Sequence, residues 1–224
     1  TKRKWDRHSH VQSIIPRLDF VWVNPEETHY FEQAFPEFNG RYHRICYYSA
    51  EEIFRVGCGR MNGRDILIGN SATPTNNHLE LFEKLKKIDL GNRRLIAPLN
   101  YGDPRYAHEV ERIGVSVFGS RFVALRQFMP LDEYYEMIGC CGTILMNHIR
   151  QQAGTTIATG LYKGAKVYLR NENIVGNFYR NMGIRVLSLQ DDFMPNSELF
   201  APLSEQETQM NRQILEQYWG HEAA

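Results

Sequence analysis

Cysteine is scarce in this chain of 224 residues: Cys46, Cys58, Cys140 and Cys141 are all it has. They form no Cys-x-x-Cys pair and have no neighbouring pair of histidines, which excludes the common zinc and dithiol signatures. Buried thiols in a reducing cytoplasm fit this usage better than metal or redox chemistry. No apolar run approaches the roughly 18 residues that would cross a bilayer, and no signal peptide is visible. Neither sign of charge is in surplus, with 26 Lys and Arg against 26 Asp and Glu, so no global basic field argues for nucleic acid. The basic start, Thr1-Lys2-Arg3-Lys4, reads as a solvated end. A Gly-x-Gly-x-x-Gly fingerprint, an Asp-x-Asp at a strand end, internal repeats and low-complexity tracts are all missing from the sequence. The first twenty residues, which open without methionine, read as the interior of a longer chain.

What is present is a regular alternation. Hydrophobic residues make up 42% of the chain, enough for a packed core. Leu18 to Val23 and Arg44 to Tyr48 read as short strands, separated by a helix that starts at Asn24-Pro25-Glu26-Glu27 and stops before Pro36. The glycine-rich stretch of Gly57, Gly59, Asn62 and Gly63 reads as a junction between domains. Strands are then expected at Asp65 to Ile68, Arg94 to Leu99, Val115 to Phe118, Val123 to Phe128, Thr143 to Met146, Lys166 to Leu169 and Ile184 to Leu189. Helices are expected at Asn77 to Ile88, Arg105 to Ile113, Leu131 to Ile138, Gly154 to Tyr162, Ile174 to Asn181 and Ser204 to Trp219. This order predicts an α/β fold with a Rossmann-like parallel sheet covered on both faces. Residues 1–63 are expected to be the end of an amino-terminal domain with its linker, and residues 64–224 a ligand-binding domain with a tail helix.

Ligands in such sheets bind beyond the carboxyl ends of the strands, so four polar loops matter. The junction after Met146 places Arg150, Gln151 and Gln152 before Gly154, Thr155 and Thr156 at a helix start. Free backbone N–H groups, helix partial charge and a forked cation are what a diphosphate needs. A polar cap with a solvated arginine is the competing reading. Gly69, Asn70 and Ser71 can meet a phosphate or sugar, or can form an ordinary capped turn. Glu172, with Asn173, can accept from ribose hydroxyls or serve a helix start by charge alone. Tyr101 and Tyr134 can stack on a base or pack. His148 can act as a general acid or base, or serve no chemistry at all. In the last helix Met210, Ile214, Leu215, Tyr218 and Trp219 can pack across domains or touch membrane, and packing is favoured because Arg212 is its sole basic residue.

Asp65-Ile66-Leu67-Ile68-Gly69-Asn70-Ser71 with Asn77-His78, Arg150-Gln151-Gln152 with Thr156, the segment from Leu169 to Asn173, Tyr101 and Asp132-Glu133-Tyr134 together resemble one family. It is that of the TDP-N-acetylfucosamine:lipid II N-acetylfucosaminyltransferases, in its carboxyl-terminal part, and the likeness runs from about residue 15 to 190. The family's glycine pair after Gln-Gln is replaced here by Ala153-Gly154-Thr155, which moves the glycine by one place. The resemblance implies a GT-B glycosyltransferase, two Rossmann-like domains facing a cleft. The donor is then a dTDP-activated deoxyamino sugar, and the acceptor a polyprenyl-diphosphate-linked saccharide at the inner face of the cytoplasmic membrane, in surface polysaccharide synthesis. Gly69, Asn70, Ser71, Arg150, Gln151, Gln152, Gly154, Thr155 and Thr156 become diphosphate-site candidates, and Tyr101, Tyr134, Glu172 and Asn173 nucleoside-site candidates. No cofactor and no metal are expected, and His148 is the candidate acid or base.

With only part of a first domain ahead of Gly63, the chain is expected to bind nucleotide without transferring sugar. Two other readings stay open: another GT-B enzyme, such as a nucleotide-sugar epimerase or pyruvyl transferase, and a binding module that kept the fold without the chemistry.

Overall fold

A computed structural model describes residues 7–43, 54, 59–196 and 198–220. The chain divides into two compact units, Thr1–Tyr47 (with Ala224) and Tyr48–Ala223. In the first, helix α1 (Arg7–Ile14) leads to strand β1 (Phe20–Val21), helix α2 (Thr28–Ala34) and strand β2 (Arg41–Tyr42). The two strands pair in parallel, Phe20 opposite Arg41 and Val21 opposite Tyr42, so this is a small βαβ crossover. Aromatic packing holds it: Phe31 lies 5.0 Å from Phe35 and 5.9 Å from Tyr42 between ring centroids. The strand expected at Arg44 to Tyr48 lies outside the described residues, as do Cys46, Cys58 and Gly57.

The second unit is a six-stranded parallel sheet. Its strands are β3 (Asp65–Ile68), β4 (Leu95–Pro98), β5 (Phe122–Leu125), β6 (Cys141–Met146), β7 (Lys166–Leu169) and β8 (Leu187–Ser188), in spatial order β5-β4-β3-β6-β7-β8. The helices are α3 (His78–Leu85), α4 (Pro104–Phe118), α5 (Leu131–Gly139), α6 (Gly154–Tyr162), α7 (Ile174–Asn181) and α8 (Glu205–Trp219). Strands β3 and β6 are buried along their whole length, as parallel strands covered on both faces must be. Their side chains alternate between two cores, because successive residues of a strand point to opposite faces. Ile66, Ile68 and Leu145 meet Leu81 and Phe82 of α3 and Val110 of α4 on one face. Leu67, Ile144 and Met146 meet Ile157 and Leu161 of α6 and Val175 of α7 on the other.

The division falls earlier than the expected one after Gly63, for a visible reason. Phe54 stacks on Tyr162 at 4.4 Å, Met61 is buried, and the Met61 N–H donates to the Lys163 carbonyl at 2.8 Å. These residues belong to the core of the sheet unit. Val115 to Phe118 is the last turn of α4 rather than a strand: Ala107, Val110, Gly114 and Phe118 are its buried face at helical spacing, and Val115 faces solvent. Gly119, at φ 60°, ends that helix. The last strand is shorter than expected because the chain turns before it, the Val186 N–H donating to the Ile184 carbonyl and the Arg185 N–H to Asn211 Oδ1. Of the vicinal cysteines Cys141 is buried as expected, whereas Cys140 is exposed where α5 ends.

Helix α8 packs on the sheet unit. Leu215 is fully buried, Arg212 Nε donates to the Tyr162 carbonyl at 2.8 Å, and the Tyr162 hydroxyl donates to Glu216 at 2.6 Å. Ser204 and Glu207 close a reciprocal capping box at its start. No helix among the described residues is long and apolar enough to cross a membrane.

Candidate functional site

Strand order reverses between β3 and β6. The connections leave those two strands in opposite directions, opening a crevice at their carboxyl ends. Gly69 begins the loop after β3 with φ +63°, and a Cβ there would meet His78 Nε2 at 2.4 Å. Only glycine gives this loop its sharp exit. Beyond it Asn76, fully buried, stitches the turn: Nδ2 donates to the Ser71 carbonyl at 2.9 Å, and Oδ1 accepts from the Asn70 N–H at 3.3 Å. Ser71 is buried in that stitch, its hydroxyl 2.8 Å from Thr73 Oγ1.

A ladder of amides and hydroxyls joins this loop to the loop after β6. Asn77 and Asn147 exchange reciprocal bonds at 3.0 Å, each Nδ2 donating to the other's backbone carbonyl. Thr75 Oγ1 donates to Gln152 Oε1 at 2.8 Å, Gln152 Nε2 donates to Asn70 Oδ1 at 2.9 Å, and Asn70 Nδ2 donates to the Tyr101 hydroxyl at 2.9 Å. Arg150 Nε donates to Thr75 Oγ1 at 3.3 Å. The structure therefore brings Gly69, Asn70, Tyr101, Arg150 and Gln152 together at one crevice. It adds Asn76, bonded within its own turn, and Thr75, Asn77 and Asn147, whose roles rest on partners 70 to 77 residues away in sequence.

Two helices start at this crevice, and neither has a side-chain cap. The residues before them, Asn77 (φ 51°) and Ala153 (φ 59°), are the non-glycine residues with left-handed backbone among those described. At α3 the first N–H, that of His78, donates to the Tyr106 hydroxyl at 3.2 Å, whereas the start of α6 has no side-chain cap, and both helix ends are partially positive. Gly154 and Gln151 are half-buried beside this start, and Thr155 is exposed on it. Such backbone strain in a cleft points to a site held in shape for a purpose.

The nucleoside candidates separate into two groups. Tyr101 follows β4, while Glu172 and Asn173 follow β7; three strand spacings, roughly 14 Å, lie between those strands. Tyr134 reaches the Thr156 hydroxyl at the start of α6, and burial pushes its phenol up from the ordinary range. Glu172 is exposed; its own backbone N–H and then the Arg170 guanidinium hold its carboxyl below the usual range. Gln190 Nε2 also donates to it at 2.9 Å. Asn173 is fully buried and caps α7, its Oδ1 accepting from the Gly176 N–H at 2.8 Å.

His148 is likewise sealed, with no exposed surface, beneath the loop that carries Arg150. Its Nδ1 lies 3.0 Å from the Arg150 carbonyl, and burial lowers its pKa to about 4. The imidazole expected to act as an acid or base therefore sits under the loop, neutral and out of reach of solvent. Arg170, singled out only as part of a polar loop, spans the crevice: Nη1 donates to Glu80 at 2.7 Å and to Asn147 Oδ1 at 3.4 Å, and Nε to Glu172 at 3.4 Å. Two carboxylates offset its charge. Arg150 makes no ion pair among the described residues. No group of three or more His, Cys, Asp and Glu gathers among the described residues in a way that could hold a metal ion.

Among solved structures the chain is similar to sucrose-phosphate synthase from Thermosynechococcus elongatus, with a TM-score of 0.68, 13% identity, and 99% of this chain aligned to 59% of that one. It is similar to a glycosyltransferase from Rickettsia africae, with a TM-score of 0.66, 16% identity, and 96% of this chain aligned to 63% of that one. It is also similar to Anabaena HepE in complex with UDP and glucose, with a TM-score of 0.63, 12% identity, and 95% of this chain aligned to 62% of that one. The chain thus spans 59 to 63% of the length of these structures. At such identities the likeness is one of fold, the Rossmann-like architecture of GT-B glycosyltransferases. The sequence signature of one family runs from residue 15 to residue 217, and the chain belongs to it: the family described as 4-alpha-L-fucosyltransferase, glycosyl transferase group 56.

Proposed function

We propose that the crevice between β3 and β6 binds the diphosphate of a nucleotide sugar, and that the chain serves in transferring the glycosyl group. One observation carries this reading: Arg150, a guanidinium with no carboxylate partner among the described residues, stands beside the uncapped start of α6, while the neighbouring Arg170 is already paired with carboxylates. Glycosyl transfer releases a nucleoside diphosphate, so charge grows on the phosphate oxygens as the sugar–oxygen bond breaks. Fixed donors aimed at that charge favour the transition state more than the ground state. Arg150 and the N–H groups at the start of α6 are such donors. The UDP held by the Anabaena structure supports a nucleotide as the ligand.

The donor is a dTDP-activated, N-acetylated 6-deoxyamino sugar of the fucosamine type. Fucose itself is a 6-deoxyhexose, so the family's description supports that sugar class. The acceptor is a polyprenyl-diphosphate-linked saccharide, met at the inner face of the cytoplasmic membrane. Glu172 accepts from ribose or sugar hydroxyls on the β7 side, and Tyr101 and Tyr134 offer aromatic surface on the other.

Titration calorimetry with dTDP, UDP and GDP tests the reading. Arg150→Ala is expected to weaken the preferred nucleoside diphosphate about 10-fold to 100-fold, the worth of a charge-assisted bond to phosphate of roughly 1.5–3 kcal/mol. Thymidine, which has no phosphate, should bind the variant and the parent alike. Undiminished diphosphate affinity in Arg150→Ala would remove Arg150 from the site and the reading with it.

A further inference from the structure

The loop that carries Arg150 rests on a buried polar pair. Asn173 and His148 both have no exposed surface. The Gly176 N–H donates to Asn173 Oδ1 at 2.8 Å, which fixes the amide's orientation and turns Nδ2 toward the histidine. Nδ2 then donates to the His148 carbonyl at 2.9 Å. His148 Nδ1 lies 3.0 Å from the Arg150 carbonyl, which only accepts, and 2.9 Å from Asn173 Nδ2, which only donates, so a proton on Nδ1 serves Arg150 and a bare Nδ1 serves Asn173. Nε2 is left with no partner. A chain of bonds thus runs from the start of α7 through Asn173 and His148 to the backbone of Arg150, whose side chain meets Thr75 across the crevice.

We propose that His148 is a positioning residue that carries its ring proton on Nδ1: with the Asn173 amide given to the His148 carbonyl, Nδ1 donates to the Arg150 carbonyl and fixes that backbone so that the guanidinium faces the phosphate site. This rests on the nucleotide-binding reading above. The other bonds on this loop, which ends in a left-handed alanine, are made by side chains at Gln152, Asn147 and Arg150 and by Asn173 to the His148 carbonyl; none of them reaches the Arg150 backbone. The imidazole acts through Arg150 and does not touch the ligand. The working atom is Nδ1, and Nε2 contributes nothing to binding.

The two ring nitrogens can be tested separately, since asparagine places an amide N–H near the Nδ1 position and glutamine places one near Nε2. Affinity for UDP and dTDP would be measured by calorimetry for the parent, His148→Asn, His148→Gln and Asn173→Asp, with circular dichroism confirming fold at the measuring temperature. Asn173→Asp keeps the acceptor that caps α7 and loses the donor. The expected result is His148→Asn within about threefold of the parent, and His148→Gln and Asn173→Asp at least about tenfold weaker. Retention by His148→Gln with loss in His148→Asn would make Nε2 the working atom and overturn the proposal. Equal affinities or equal losses in the two histidine variants would overturn it as well. A parent that binds neither nucleotide would instead overturn the nucleotide reading on which the proposal stands.

Discussion

Ala153 holds a backbone conformation that an L-residue adopts at a cost, with φ at 59° immediately before α6. A left-handed alanine costs roughly 1–2 kcal/mol relative to glycine, while glycine gives back about 0.4–1 kcal/mol through its greater freedom in the unfolded chain. Ala153→Gly should therefore stabilise the protein by up to about 1.6 kcal/mol, at about 2–4 °C in Tm per kcal/mol for a domain of this size. Ala158→Gly, in the middle of α6 and almost fully buried, is the contrasting case: it should lower Tm, because glycine is poor in helix interiors. Differential scanning fluorimetry of the two variants checks the pair, and a fall in Tm for Ala153→Gly comparable to that of Ala158→Gly would contradict the assigned strain. The sequence shows a glycine one place later than the resembled family has it; only the backbone shows that the left-handed position went to alanine. Gly69, Asn70, Tyr101 and Arg150 were legible as neighbours at the crevice because each follows a buried strand. Asn77 and Asn147 were not, since their meaning lies in each other.

Elements were legible where strand and helix periods are clean. Gly154–Tyr162, Lys166–Leu169 and Ile174–Asn181 stand at the bounds their patterns predict. The four apolar-rich residues Val115 to Phe118 fit a strand or a helix turn equally, and the context of α4 decided. For α8 the composition favoured packing over membrane contact, and burial shows which face packs: Leu215 has no exposed surface whereas Met210 is 45% exposed. Leu215→Ala should cost about 2–5 kcal/mol, the range for emptying a tight core site, and Met210→Ala no more than about 0.5 kcal/mol. Urea unfolding midpoints measure both. Equal small effects would mean that α8 is not packed as described.

At the scale of the molecule the parallel sheet was readable from alternation alone, and its reversal point identifies the crevice once strand order is known. The charge consequences of that architecture were not readable, because they depend on depth of burial. His78 and His148 stand at the two sides of the reversal, each fully buried and each with its pKa lowered by burial to about 4. For His78 a hydrogen bond to the Ile68 carbonyl offsets part of that effect, as the Arg150 carbonyl does for His148. An unfolded histidine takes up its proton near pH 6.5, so between about pH 6.5 and pH 4 the unfolded chain binds protons that the folded one excludes. Stability then rises with pH across this window. It is fully present above about pH 6.5 and is lost as pH falls toward 4, by up to about 3 kcal/mol per histidine at about 1.4 kcal/mol per pKa unit. The Glu172 and Glu207 carboxyls, held below their ordinary range, lose their contributions only lower on the scale. Thermal melts should accordingly show Tm nearly level from pH 8 to 7 and falling between pH 6.5 and 5. His148→Asn, which carries no titrating ring, should show about half of that fall. A Tm that held level down to pH 5 in the parent would mean that the two imidazoles are reached by water in the folded state, and that the loop above His148 opens.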